Sequence, residues 1–197
     1  MEEDFEVLIE SFIRNKIGIS DNFLDEILAN HLKGNLLDLV ANNQLKAAGI
    51  GNGHHPNKDS TVRNDSIYWL DRKNKNQHQN SFFDLIDDFV KYLNINCYTS
   101  ITDYEFHYSL YEDGSFYRKH IDQFQNNPKR QFSMISYLNA EWLEADGGQL
   151  LIHSEGRQQK IDPVQGKMVF FKSDEMEHEV LVTHKRRMSV TGWLKRA

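Results

Sequence analysis

The sequence predicts a mainly β protein in which helices from the first half buttress one outer face of a jelly roll or barrel. Three observations lead to this prediction. Residues 97–197 contain many short strand-like runs at close spacing, divided by turn signals such as Asp113-Gly114. Residues 1–96 contain three apolar stripes at helical spacing. The 197 residues, 39% of them hydrophobic, are enough for a single domain (1–197) with a sizeable core.

The three apolar stripes predict amphipathic helices that pack against a sheet. The first stripe consists of Val7, Leu8, Phe12 and Ile13. The second, after Ser20 or Asp21 as the N-cap, consists of Phe23, Leu24, Ile27, Leu28 and Leu32. The third consists of Phe82, Phe83, Leu85, Ile86, Phe89, Val90 and Leu93. Each stripe is most simply a packing face, and we assign no chemistry to these three stripes.

A polar segment rich in Gly and Asn, residues 48–64, separates the second and third helices. It contains little apolar surface to bury, so we expect it to be mobile. A surface loop is the simplest interpretation, but a loop of this length in a compact domain is often a lid or a binding loop. The following residues 66–70 have the composition of a strand.

The apolar pattern changes to a period of two after Cys97, which predicts the β core in residues 97–197. Tyr104, Phe106, Tyr108 and Leu110 alternate with more polar neighbours. Further strand-like runs cover residues 132–138, 149–153, 167–171, 179–183 and 187–194.

Composition and charge exclude several classes of protein. The formal net charge of −6 provides no basic face for a phosphate backbone, so we expect no nucleic-acid partner. Cys97 is the only cysteine, which excludes an intramolecular disulfide and a thiolate zinc site. The acidic N-terminus lacks a secretory signal, and no apolar run is long enough to cross a membrane. We therefore expect a cytoplasmic protein with no membrane partner; its oligomeric state cannot be read from the sequence.

His120 and Asp122 form an H-x-D pair whose side chains point to the same face of a strand. With His178 they give the two imidazoles and one carboxylate of the facial triad that binds non-haem Fe(II) and leaves positions open. The same donors also accept zinc, manganese, cobalt or nickel. A second H-x-E pair, His153 and Glu155, precedes a glycine and is more simply a solvated turn.

Arg187 follows His178 by nine residues and begins a strand with two different faces. One face presents Arg187, Ser189, Thr191 and Trp193, and the other presents apolar residues. The polar face is compatible with the outside of an edge strand. If it lines the barrel instead, the cation needs a buried partner, and a ligand carboxylate would satisfy the guanidinium fork.

Six segments in order resemble the Fe(II)- and 2-oxoglutarate-dependent oxygenases of the prolyl hydroxylase superfamily. They read YEDGSFYRKHID, RQFSMISYLNAEW, GGQLLIH, IDPVQGKMVFFKS, HEV and RRMSVTGW. Within that superfamily the chain is most similar to the hypoxia-sensing prolyl hydroxylases and their bacterial counterparts. Residues 62–69 also resemble the R-G-D-x-I-x-W segment of their substrate loop, with Asn64 in place of Gly. The resemblance implies a double-stranded β-helix core.

The resemblance also implies a role for each matching residue. Iron would be bound by His120, Asp122 and His178. The cosubstrate 2-oxoglutarate would be bound by Arg187 and Tyr137 through its distal carboxylate, with Thr191 and Tyr111 nearby. The substrate would be bordered by Arg63, Asp65, Arg130 and Trp193, and by the loop from residue 50 to residue 65. No catalytic residue is implied beyond the metal ligands.

The leading hypothesis from the sequence is a dioxygenase that hydroxylates a prolyl residue of a protein or peptide. It would use Fe(II), dioxygen and 2-oxoglutarate, which becomes succinate, with ascorbate as the reductant. One alternative keeps this chemistry but changes the substrate to a free amino acid or another small molecule. A further alternative is a cupin-like module that binds the metal for sensing without turnover.

Overall fold

The computed structural model describes residues 2–49, 59–123, 128–154 and 156–196. The helices are α1 (Glu2–Asn15), α2 (Glu26–Ala41) and α3 (Gln77–Asn96). The first strands are β1 (Ile17–Ser20), β2 (Lys46–Ala47), β3 (Ser66–Trp69), β4 (Asp103–Tyr111), β5 (Tyr117–His120) and β6 (Arg130–Tyr137). The remaining strands are β7 (Leu150–Ser154), β8 (Arg157–Ile161), β9 (Met168–Lys172), β10 (Glu177–Val180) and β11 (Arg187–Lys195). Short 3₁₀ turns cover Arg72–Asn74 and Glu144–Asp146.

The strands form two antiparallel sheets that together make the predicted jelly roll. The major sheet has seven strands in the order β1-β9-β6-β11-β4-β3-β2, and the minor sheet has four in the order β5-β10-β7-β8. Connections that alternate between two facing sheets in this way are typical of a double-stranded β-helix. The predicted fold class is therefore confirmed.

The major sheet separates two hydrophobic cores. One face packs against all three helices, where Leu8, Leu32 and Phe89 meet Phe170 and Val190 of the sheet. The predicted buttressing of one outer face by the helices is confirmed. The other face packs against the minor sheet in a smaller core. Its members are Ile17, Ile135, Tyr137, Leu150, Ile152, Ile161, Val169, Phe171 and Met176.

Three details of the predicted helices are wrong. In α1, Val7 and Ile13 are 53% and 74% exposed, because the helix turns a neighbouring stripe that includes Phe5 towards the core. In α2, Ile27 of the predicted packing stripe is 69% exposed. The N-cap of α2 is Asp25, whose side chain accepts a hydrogen bond from the Leu28 amide at 2.7 Å. The proposed cap positions lie earlier, at the end of β1 and in the following turn.

The third predicted helix, the strand at residues 66–70 and the predicted strands of the C-terminal half are present, except that the strand predicted at 179–183 begins earlier and ends at Val180. The sequence did not predict β1, β2 or β8. Strand β8 consists of polar, exposed residues apart from Ile161, because it forms an edge of the minor sheet. Among the described residues, no helix combines the length and the apolar character that crossing a membrane requires.

Candidate metal and cosubstrate site

The three predicted metal ligands converge at one end of the minor sheet. His120 ends β5 and His178 lies in β10, directly opposite it in the antiparallel pair. Asp122 follows two residues after His120. One ligand atom from each residue lies within 4.8 Å of the others, and no other group of three His, Cys, Asp or Glu in the described residues is close enough to hold a metal.

Backbone carbonyls fix the orientation of both imidazoles. Nδ1 of His120 lies 2.8 Å from the Arg118 carbonyl oxygen, and Nδ1 of His178 lies 2.9 Å from that of Met176. A carbonyl oxygen only accepts, so each Nδ1 carries the proton and each Nε2 keeps a free lone pair. Nε2 of both rings points at the Asp122 carboxylate, at 3.4 and 3.5 Å. This arrangement is typical of metal-binding histidines.

The Asp122 carboxylate is buried and ionised. Burial by itself raises its pKa, but the neighbouring histidines and the Ser133 hydroxyl lower it well below the ordinary value. Ser133 donates to Oδ2 of Asp122 at 2.7 Å and shares a hydrogen bond with Ser173. Burial lowers the pKa of His178 to about 4, so its imidazole is neutral near pH 7. Two imidazoles and a carboxylate fit a divalent transition metal.

Arg187 begins β11 and is 1% exposed. Its Nε donates to the Gly148 carbonyl at 2.8 Å, but its Nη2 has no hydrogen-bond partner in the part of the chain that the structure describes. The Tyr137 hydroxyl is also buried without a partner, and the guanidinium lies 5.1 Å from the ring centre of that tyrosine. Strand β11 lies between β6 and β4, so the edge-strand interpretation of its polar face is wrong. Nη2 of Arg187 and the Tyr137 hydroxyl are therefore two buried donors for which the described residues supply no acceptor.

A glycine allows Arg187 to reach this position. Gly148 has a φ of +65°, and a Cβ there would lie 3.0 Å from Cδ of Arg187 and 2.9 Å from Oγ1 of Thr183. A larger residue would force the arginine or the backbone to shift. The Gly-Gly pair before β7 therefore belongs to the architecture of the site, a role that its appearance as a turn signal did not suggest.

The metal ligands and Arg187 face one cavity of about 550 Å³. The register of β11 on β4 orders its wall: Arg187 pairs with Tyr111, Thr191 with His107, and Trp193 with Glu105. Because inward residues alternate along both strands, the cavity runs from Arg187 past Thr191 to Trp193.

The predicted cosubstrate residues surround the guanidinium or line the same cavity. The Tyr111 ring centre lies 4.9 Å from the Arg187 guanidinium carbon, and both Tyr111 and Thr191 line the cavity. Tyr137 is fully buried, and burial raises its pKa to about 12 although the Arg187 charge opposes the rise. Its hydroxyl is therefore a neutral hydrogen-bond donor near pH 7.

Three of the predicted substrate residues line the cavity, and the fourth supports one of them. Arg63, Arg130 and Trp193 line it, whereas Asp65 is buried and pairs with Arg63 through two hydrogen bonds of 2.7 and 2.6 Å. The Arg130 guanidinium lies 3.4 Å from the Trp193 ring centre and donates to Glu105. Residues 50–58 of the predicted substrate loop lie outside the described residues.

Several residues of the site were not predicted from the sequence. His107 is buried in the cavity wall between the rings of Trp69 and Trp193, at 4.9 and 5.5 Å, and its Nδ1 has no partner. Tyr117 stacks on His120 with ring centres 3.6 Å apart. Alternation places His107 on the same strand face as Tyr111, which was the available signal. His153, by contrast, pairs with Glu179 at 3.0 Å, as expected for a residue without a metal role, while Glu155 lies outside the described residues.

A jelly roll that gathers two histidines and a carboxylate beside a buried, partly unpaired arginine defines the class of Fe(II)- and 2-oxoglutarate-dependent oxygenases. Comparison with known families agrees, because residues 106–195 match the model of the 2OG-Fe(II) oxygenase superfamily. The matched residues contain the β core with all three metal ligands and Arg187, so this part of the chain is similar to the 2OG-Fe(II) oxygenases, and its side chains fit Fe(II) and 2-oxoglutarate.

Solved structures give the same picture. A prolyl-4-hydroxylase from Pseudomonas putida is 29% identical with a TM-score of 0.88, covering 98% of this chain and 99% of that one. A prolyl hydroxylase from Trichoplax adhaerens, in complex with a hypoxia inducible factor peptide fragment, has a TM-score of 0.88 at 22% identity, covering 98% and 90%. A prolyl 4-hydroxylase from Phytophthora capsici has a TM-score of 0.77 at 21% identity, covering 98% and 62%. The last two likenesses show the fold alone.

Proposed function

We propose that this protein hydroxylates a prolyl residue of a protein or peptide. One oxygen atom of O₂ enters the substrate, and the other enters succinate as 2-oxoglutarate loses carbon dioxide. The observation that carries the dioxygenase chemistry is the pair of buried, unpaired donors, Nη2 of Arg187 and the Tyr137 hydroxyl, beside the cluster of His120, Asp122 and His178. The similarity to the P. putida prolyl-4-hydroxylase along almost the whole chain supports the prolyl substrate.

His120, Asp122 and His178 would hold the metal. A metal held by three protein ligands would keep open positions, and together with 2-oxoglutarate it would supply the oxidising chemistry. The protein contributes orientation. The carbonyls of Arg118 and Met176 keep both Nε2 atoms directed at the site, and Ser133 holds one carboxylate oxygen of Asp122.

Arg187 would pair with the distal carboxylate of 2-oxoglutarate. Its Nε is already engaged by Gly148, which leaves Nη2 for the ligand, and the Tyr137 hydroxyl is the second donor. A charge-assisted hydrogen bond in a buried site is strong, and it would relieve the unpaired guanidinium at the same time. Thr191 and Tyr111 would border the cosubstrate along the same wall.

The open end of the cavity supports a peptide as the substrate. Arg63, Arg130 and Trp193 line it together with Trp69, whose indole is 47% exposed. The exposed Trp69 ring, with the partly buried cations beside it, offers stacking to an extended chain. A neighbour of the same fold is in complex with a peptide fragment. We infer neither a nucleic-acid nor a membrane partner, and the cytoplasmic location stays a prediction.

Turnover assays with candidate peptides test this proposal. The protein is incubated with Fe(II), ascorbate as the proposed reductant, 2-oxoglutarate and proline-containing peptides, and mass spectrometry follows the addition of one oxygen atom to a prolyl residue. Succinate should form in step with the hydroxylated peptide. Arg187→Leu is the matched control and should form neither. Succinate formation with hydroxylation of free amino acids but of no peptide would favour the small-molecule alternative.

The variant His178→Ala distinguishes the enzyme from the non-enzymatic alternative. His178→Ala removes a proposed metal ligand, so it should abolish succinate formation with and without a peptide. A wild-type protein that binds the metal but never consumes 2-oxoglutarate would instead support a cupin-like sensor and contradict the proposal.

A further inference from the structure

A stack of side chains joins the segment 59–65 to the metal cluster. The Tyr117 ring lies on the His120 imidazole with ring centres 3.6 Å apart and planes at 15°. The Arg63 guanidinium carbon lies 4.1 Å from the centre of the same tyrosine ring. Two groups cannot occupy one face of a ring at these distances, so Tyr117 lies between Arg63 and His120.

The backbone of the same segment runs beside β5. The Arg118 amide donates to the Val62 carbonyl at 2.9 Å, and the Phe116 amide donates to Oδ1 of Asn64 at 2.8 Å. The Arg118 side chain also donates through Nε to the Thr61 carbonyl at 2.7 Å. Residues 61–64 are therefore held along the strand that carries His120.

A buried ion pair fixes Arg63 in the stack. Asp65 has a side chain that is 0% exposed and accepts from both Nε and Nη2 of Arg63. A buried carboxylate needs such a partner, so the guanidinium cannot leave without a large cost. Arg63 therefore contacts the Tyr117 ring from a fixed position and is not a free surface side chain.

Of the three ligands, His120 has the most exposed side chain. Its side chain is 15% exposed, against 9% for Asp122 and 4% for His178. The contacts that orient its ring from its own strand are the Arg118 carbonyl at Nδ1 and the face of Tyr117. Both contacts come from the residues to which the segment 61–64 is attached.

We propose that Tyr117 is a positioning residue for His120, and that through it metal binding and the attachment of residues 61–64 to β5 stabilise each other. Binding energies of coupled sites are reciprocal, so a metal that fixes the His120 ring also favours the attached segment. The inference rests on the metal-binding part of the proposed function and is independent of the prolyl substrate. The state of residues 61–64 is thereby coupled to the binding of the metal.

Metal affinity of two tyrosine variants tests the positioning role. Co(II) is titrated into metal-free protein and its visible absorption is followed. Tyr117→Leu should raise the Kd for Co(II) about tenfold, the loss typical of removing a group that supports a metal ligand. Tyr117→Phe keeps the ring and should restore tight binding. The matched control is Tyr104→Leu, which removes a tyrosine stacked on Phe83 on the helix side of the sheet and should leave the Kd unchanged.

Three outcomes would overturn the positioning role. The first is a folded Tyr117→Leu protein that binds Co(II) as the wild type does. The second is a Tyr117→Phe protein that binds as weakly as Tyr117→Leu, and the third is a Tyr104→Leu protein whose binding is weakened to the same extent. Each shows that the stacked ring does not set the ligand. Loss of Co(II) binding in the wild type itself would overturn the proposed function as well, which separates the two failures.

Hydrogen exchange tests the coupling without relying on a variant. The Arg118 amide is protected by its bond to Val62, so its exchange rate reports the attachment of the segment. Co(II) should slow this exchange in the wild-type protein, and the slowing should disappear in Tyr117→Leu at saturating Co(II). Exchange that is unaffected by Co(II) in the wild type, or slowed equally in Tyr117→Leu, would overturn the coupling.

Discussion

The two faces of strand β11 have different roles: one packs in the larger hydrophobic core and the other lines the cavity. Met188, Val190 and Leu194 point to the helices and belong to the larger hydrophobic core. Arg187 and Trp193 point to the cavity, and each has a buried nitrogen without a hydrogen-bond partner. The helix-side face therefore packs in the core, whereas the cavity face leaves the nitrogen donors of Arg187 and Trp193 unpaired and able to bind a ligand.

The same contrast extends across the described residues. Seven buried side-chain nitrogen or oxygen atoms lack a partner, and four of them belong to His107, Tyr137, Arg187 and Trp193 around the cavity. An unpaired buried polar atom costs stability, so its concentration in one place indicates a function that outweighs the cost. Substitutions on the two faces should accordingly change different quantities.

The largest effect is expected from Arg187→Leu on the cavity face. Removing one partner of a buried charge pair costs about 3 to 5 kcal/mol, so the Kd for 2-oxoglutarate should rise about 100- to 5000-fold. Calorimetry with Mn(II)-loaded protein measures this Kd. The affinity for the metal itself should not change, because the ligands come from β5, β10 and the turn after β5. Loss of metal binding together with 2-oxoglutarate binding would show that the two functions are not separated as described.

Leu194→Ala on the helix face should lower the stability of the fold and leave the binding of 2-oxoglutarate unchanged. Leu194 is fully buried in the larger core, and truncation of such a leucine typically costs about 2 to 4 kcal/mol in unfolding free energy. Urea unfolding measures the loss. The Kd for 2-oxoglutarate in the folded fraction should match that of the wild type. If Leu194→Ala weakened 2-oxoglutarate binding as Arg187→Leu does, the two faces would not be independent.

His107→Leu on the cavity face should increase the free energy of unfolding. The imidazole is buried between two indoles with Nδ1 unpaired, and leucine has a similar volume without the polar atoms. The unfolding free energy should increase by about 1 kcal/mol. Urea unfolding of the metal-free protein, compared with the wild type, measures this gain. A variant that is clearly less stable would mean that the imidazole makes favourable contacts that geometry does not show.

The pH dependence of stability should differ between the wild type and His107→Leu. Burial, with the nearby charges of Arg63 and Arg130, lowers the pKa of His107 from 6.5 to about 3, and burial lowers that of His178 to about 4. Between about pH 4 and 6.5 the unfolded state binds more protons, so stability falls as the pH falls through this window. Each histidine contributes at most about 1.4 kcal/mol per pH unit.

Urea midpoints between about pH 5 and 7, in buffer with a chelator, measure this slope. Both histidines act in the wild type, whereas only His178 acts in His107→Leu, so the variant should have the shallower slope. Equal slopes in the two proteins would show that His107 is not held neutral by the fold.

Much of this contrast could be predicted from the sequence. The alternation along residues 187–194 separated the apolar face from the polar face, and the H-x-D pair placed His120 and Asp122 on one side of a strand end. The identity of the cavity side could not be read in the same way. A polar face is equally typical of an edge strand, and the position of β11 in the centre of the sheet depends on strand order, which local pattern does not encode.

Other features were hidden for identifiable reasons. Strand β8 has almost no apolar residues, so it has no period to detect. The cap of α2 was misplaced because Phe23 and Leu24 are buried before the helix begins. His107 looked like the polar member of an alternating strand, and only the fold shows that its neighbours are two indoles and a cavity. In the sequence Tyr117 is one more aromatic residue of a strand, and only the fold shows that the His120 ring stacks on it.

A crystal structure with Mn(II) and 2-oxoglutarate in the absence of oxygen tests the central claim most directly. We expect the metal to be bound by Nε2 of His120, Nε2 of His178 and a carboxylate oxygen of Asp122. The distal carboxylate of the cosubstrate should pair with Nη2 of Arg187 and the Tyr137 hydroxyl. A metal bound elsewhere, or a cosubstrate that leaves the Arg187 guanidinium without a partner, would contradict the account.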